Sequence, residues 1–110
     1  MTFYKDLYCD ETTAKNKKKI IRKIRRNAGQ LGVYVIALSN GADLFDIFHV
    51  ANLKQPYFPK DTLIVMGMAS SYEEALKLVI KMISDFYNTY GTYQFKDMLL
   101  KTEEPKWRFF

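Results

Sequence analysis

KNKKKIIRKIRR, residues 15 to 26, places eight basic side chains in twelve positions with no acid among them. Cations at that density suit one kind of chemistry, the neutralisation of phosphates. Lysine acts there as a mobile point charge and arginine as a two-pronged hydrogen-bond donor. Lys15, Lys18, Lys19, Arg22, Lys23, Arg25 and Arg26 are therefore the candidate nucleic-acid or polyanion contacts. The spacing strengthens the case, because Lys15–Lys19, Lys18–Arg22, Lys19–Lys23 and Arg22–Arg26 are like-charge i,i+4 pairs, each costing a few tenths of a kcal/mol on a helix. Something outside the helix should offset that repulsion. A polyanion would do so, and so would the chain's own acids: Asp6, Asp10 and Glu11 just upstream, or those of a later helix.

Other chemistry is sparse. His49 is the single histidine and stands in an apolar stretch, where a packing role outweighs a general base. Cys9 is the single cysteine, with no basic pocket legible around it, and reads as a structural thiol. Asp43 and Asp46 are an acidic pair without a third ligand, and no zinc spacing occurs, so neither metal nor cofactor is expected. Ser39, Asn40, Gly41 and Asp43, with Ser70 and Ser71, follow two strand-like runs and form a candidate ligand loop set. They also suit ordinary caps, and neither loop carries a P-loop or dinucleotide-binding glycine pattern. The chain reads as non-enzymatic.

The elements that must position these residues follow from periodicity. A first helix is expected from about Thr13 to Ala28, capped by Thr12 or Thr13 and stopped near Gly29, with Ile20, Ile21 and Ile24 inward and Lys17 snorkelling among them. Val33–Leu38 and Thr62–Ala69 are short runs apolar on both faces, as in strands covered on both sides. Between them ADLFDIFHVANL, from Ala42, predicts a second helix ending before Pro56, with PYFP as a loop. Ser70 or Ser71 opens a third helix whose apolar residues recur from Tyr72 to Tyr90, ended by Gly91. A last short helix is expected near Phe95 to Lys101, although a strand there stays open.

The fold class is therefore α/β: a small αβαβα(α) layered domain with a short, mainly parallel sheet of 2–4 strands flanked by helices. The two central strands would be joined by a right-handed crossover through the second helix. Two strands make a poor sheet alone, so residues 3 to 8, residues 92 to 95 or a partner subunit should add another. All 110 residues form one domain: the basic helix at about 13–28, a βαβα core at about 33–90 and an aromatic C-terminal segment at 92–110.

Composition narrows the class further. The chain is 48% hydrophobic and 15% aromatic, which excludes a disordered protein. Its net charge of +5 conceals an asymmetry: residues 15 to 26 carry +8, and the remainder, nine basic residues against twelve acidic, carries −3. No apolar run approaches the ~20 residues of a membrane span, and one cysteine suits a reducing, cytoplasmic setting. The expected function is a small binding protein that contacts nucleic acid, or an acidic protein, through the basic helix with little sequence preference. The alternative is an interaction or homo-oligomerisation module using Phe45, Phe48, Tyr57, Phe58, Trp107 and Phe109 as interface anchors. A small-ligand-binding or enzymatic domain ranks third.

Overall fold

TFYKDLYC is rich in aromatic residues and alternates sides, and it forms the first strand, β1 (Thr2–Cys9). Asp10 then caps a one-turn helix, α1 (Glu11–Lys15), and α2 (Lys17–Arg25) follows after a break at Asn16. β2 (Tyr34–Leu38) and β3 (Phe45–His49) form a hairpin, and two short 3-10 turns, Val50–Lys54 and Lys60–Thr62, lead into β4 (Ile64–Ala69). The long helix α3 (Tyr72–Tyr90), the shorter α4 (Phe95–Lys101) and a two-residue strand, β5 (Trp107–Arg108), complete the order. This computed structural model describes residues 1–26, 32–39, 41–101 and 107–108.

The strands lie in the order β3-β2-β4-β1-β5. Only β1 and β4 run parallel; β2–β3, β2–β4 and β1–β5 are antiparallel. The mixed α/β class holds, but the mainly parallel sheet and the helical crossover do not. The cause is FDIFH, which is apolar on both sides and only five residues long, too short to separate a period of 2 from one of 3.6. With β2 beside it, the segment pairs from Tyr34↔His49 to Leu38↔Phe45, and the helix expected from Ala42 is replaced by a strand and a 3-10 turn.

Helices cover both faces. On one, Ile20, Ile21 and Ile24 of α2 join Phe3, Leu7, Val35, Val65 and Met68, with Val50, Leu53 and Leu63 from the 50–63 connection. On the other, Ala75, Met82 and Phe86 of α3 and Phe95 and Leu99 of α4 pack on Tyr4, Ile36 and Met66. β2 and β4 are the strands buried on both sides, as their unbroken apolar runs require. Residues 3 to 8 supply the extra strand, not 92 to 95, which lead into α4.

Two local features set the register. β1 pairs with β4 at Phe3↔Val65 and again at Tyr8↔Gly67, so the stretch around Lys5 and Asp6 bulges out opposite Met66. A Cβ at Gly67 would stand 2.8 Å from the Tyr8 carbonyl oxygen, so glycine is what lets β1 approach there. Gly91 ends α3 at φ 73, in the left-handed region that glycine adopts without cost. Among the described residues, no helix is long and apolar enough to cross a membrane.

Candidate polyanion interface

The basic segment is two helices rather than one. Asp10, not Thr12 or Thr13, is the first cap: its side chain accepts from the Thr13 N–H at 2.9 Å. Asn16, with φ −119 and ψ 21, then separates Lys15 from the rest of the basic face. The expected end at Ala28 and Gly29 lies outside the described residues.

The three isoleucines of α2 are each no more than 5% exposed, and burial of each contributes on the order of 1.5–3 kcal/mol. The three like-charge pairs left, Lys18–Arg22, Lys19–Lys23 and Arg22–Arg26, cost about 1 kcal/mol together. Packing wins, so α2 holds its charged face without counter-ions. Lys18, Lys19, Arg22, Arg25 and Arg26 are exposed, and Lys17 and Lys23 are half-buried.

The neutralisation alternative finds little support. Lys15 pairs with Glu11 at 3.9 Å, an exposed contact within α1. Glu74 pairs with Lys77 at 3.3 Å on α3, across the sheet from α2. Arg25 is engaged otherwise, its guanidinium lying 5.4 Å from the centroid of the Phe3 ring and donating to the Met1 carbonyl at 3.5 Å. Among the described residues, Lys18, Lys19, Arg22, Lys23 and Arg26 form no ion pair.

Asp10 is occupied elsewhere. One of its carboxylate oxygens accepts from the Thr13 N–H and hydroxyl, and the other from the Ser70 N–H and hydroxyl. The Thr13 hydroxyl lies 2.6 Å from that carboxylate and 3.0 Å from the Met68 carbonyl. Burial works against ionisation, yet the Ser70 and Thr13 hydrogen bonds outweigh it and hold Asp10 at about 2. The cluster ties the carboxyl ends of β1 and β4 together. Beside it Lys19, Lys23, Asn16 and Thr12 border a shallow notch of about 250 Å³ that continues the basic face.

The expected ligand loops do not converge. β2 and β4 are antiparallel, so Ser39, Gly41 and Asp43 lie at one end of the sheet and Ser70 and Ser71 at the other. Ser71 caps α3 by accepting from the Glu74 N–H at 3.1 Å. At the opposite end, the Lys96 ammonium donates to the carbonyls of Ser39, Gly41 and Asp43 at 3.0, 2.8 and 2.9 Å, and so closes the hairpin turn from α4. Sequence reading missed both tethers. An Asp10 cap was legible from its place before a helix, but Lys96 had no local signal, since its partners lie more than fifty residues away. Asn40 lies outside the described residues.

The remaining candidates have structural roles. His49 ends β3, where its Nδ1 accepts from the Ala51 N–H at 3.1 Å and its ring meets Tyr34 edge-on at 5.1 Å. Burial pushes the Cys9 thiol up, away from the thiolate a nucleophile needs. Among the described residues, no group of three His, Cys, Asp or Glu side chains could hold a metal ion. Phe48 packs edge-on to Phe58 at 5.1 Å, and Phe45 lies 6.1 Å from Phe95, so these three anchors are committed to the two cores. Tyr57 is 82% exposed, Trp107 belongs to β5, and Phe109 lies outside the described residues. The chain matches no family model, no curated protein and no solved structure.

Proposed function

We propose that the protein is a non-enzymatic polyanion-binding module that lays the outer face of α2 against the phosphates of a nucleic acid. One observation carries the reading. Five basic side chains, Lys18, Lys19, Arg22 and Lys23 on α2 and Arg26 at its C-cap, form no ion pair among the described residues, and the isoleucine stripe anchors that helix. Phosphates would offset the standing repulsion through counterion release and arginine hydrogen bonds. Contacts of this kind position a backbone without reading bases, so little sequence preference is expected.

The test is fluorescence anisotropy with mixed-sequence DNA and RNA at low salt. The wild type is compared with a variant carrying Lys18→Glu, Arg22→Glu, Lys23→Glu and Arg26→Glu, its helix content checked by circular dichroism. The reading predicts binding by the wild type and a loss of at least 100-fold in the folded variant. Absence of binding by the wild type, or equal binding by both, overturns it; binding to an acidic protein alone transfers the face to that partner class.

A further inference from the structure

The two edges of the sheet are unlike. β5 covers β1 on one side, whereas among the described residues no strand pairs with the outer edge of β3. In the hairpin, the Val50 N–H donates to the Val33 carbonyl and the Ser39 N–H to the Leu44 carbonyl. With Tyr34 opposite His49, these bonds turn the backbone groups of Leu44, Asp46, Phe48 and Val50 inward. Those of Phe45, Ile47 and His49 therefore point outward. No proline or lysine interrupts the strand; its one charged residue, Asp46, turns its backbone groups inward and leaves the outward N–H and C=O groups of Phe45, Ile47 and His49 open to pairing.

The layer above this edge is also unfinished. Tyr72, Leu76 and Ile80, at four-residue steps on α3, are 51%, 42% and 69% exposed. Tyr8 of β1 donates to Asp85 on the other flank of α3, which places the exposed stripe on the β3 side. Tyr34 confirms that placement, touching His49 at 5.1 Å and Tyr72 at 6.0 Å. At the opposite end of the strand, α4 covers Phe45 through Phe95 and leaves Met98 44% and Leu100 50% exposed.

We infer that this edge and flank form a homodimer interface in which two β3 strands pair antiparallel about Ile47. The outward residues are symmetric about that centre, so Phe45 of one copy meets His49 of the other and every outward N–H finds an outward carbonyl. The same two-fold axis brings α4, which lies over Phe45, beside the other copy's Tyr72–Ile80 flank, which lies over His49. The two halves of the surface thus complement each other, as an isologous contact requires. Tyr72, Leu76 and Ile80 offer roughly 300 Å² per copy, and with the flank of α4 and the strand edges the pair approaches the ~1,000 Å² total of a specific interface. An antiparallel join of edges keeps each face of the sheet on its own side. Both α2 helices therefore emerge on one surface, a doubled basic face if the polyanion reading holds.

Sedimentation velocity from roughly 1 to 100 µM tests the interface, with two variants alongside. Ile80→Lys alters a side chain that is mostly in solvent, and Ile47→Pro removes an N–H that the hairpin does not use. We expect a wild-type dimer, at least tenfold weaker association in Ile80→Lys and a monomer in Ile47→Pro. Hydrogen exchange on the wild type, which needs no variant, should show the Phe45, Ile47 and His49 amides slowing as the dimer forms. A monomer throughout the range overturns the inference, as does an open-ended assembly, or a dimer whose β3 amides exchange as in the monomer.

Discussion

Replacing Asp10 by asparagine tests how the base of the basic helix is fixed to the sheet. The substitution keeps the shape and the helix cap, since asparagine also accepts from the Thr13 N–H. It turns the oxygen that accepts from the Ser70 N–H and hydroxyl into a group that donates, or else exchanges that fault with the Thr13 side. The carboxylate ionises at about 2 instead of 3.8, because the Ser70 and Thr13 hydrogen bonds outweigh the burial that opposes its charge. At about 1.4 kcal/mol per tenfold change in acidity, that preference contributes about 2 kcal/mol to folding at neutral pH. For a chain of this size the variant should melt roughly 10 °C lower. The folded-state value is depressed, so the contribution is complete above pH ~4 and lost as the pH falls through about 2. Urea unfolding of both proteins at pH 7, 4 and 2 should show a gap that is widest at pH 7 and nearly closed at pH 2. Equal stability at pH 7, or a gap unchanged down to pH 2, would refute the assignment of charge-assisted hydrogen bonds to this cluster.

Two further substitutions probe the frame. Gly67→Ala would set a Cβ 2.8 Å from the Tyr8 carbonyl, a backbone atom that cannot swing away, and should cost about 1–3 kcal/mol in urea unfolding; an unchanged midpoint would contradict the close approach of β1 to β4. Lys96→Met strips the ammonium from three carbonyls of the hairpin turn, and partial exposure limits the loss to about 1–2 kcal/mol. Hydrogen exchange at the Ser39 N–H, which donates to the Leu44 carbonyl, should quicken in that variant, and an unaltered rate would show that the turn holds itself.

Legibility in the sequence followed how far each element's signal is local. α3 was readable because its period persists for nineteen residues between the Ser71 cap and Gly91. β2 and β4 were readable because strands covered on both faces are apolar without alternation. β3 was not: five residues satisfy either period, and its partner strand decided the matter. β1 was left among three options because Lys5 and Asp6 interrupt its apolar pattern at the bulge. The basic face was legible residue by residue, but the break at Asn16 and the Arg25–Phe3 contact depend on how the sheet meets α2. Ser39 and Ser70 were grouped because a parallel arrangement would bring their loops together, and the antiparallel pairing of β2 with β4 separates them.

The salt dependence of nucleic-acid binding tests the central claim most directly. Each phosphate neutralised on duplex DNA contributes about −0.9 to the slope of log K against log salt. If Lys18, Lys19, Arg22, Lys23 and Arg26, which form no ion pair among the described residues, carry the contact, the wild-type slope on mixed-sequence duplex should be about −4.5, and Arg22→Ala should reduce its magnitude by about one. A slope near zero, or one that Arg22→Ala leaves unchanged, would place the function of this protein elsewhere on its surface.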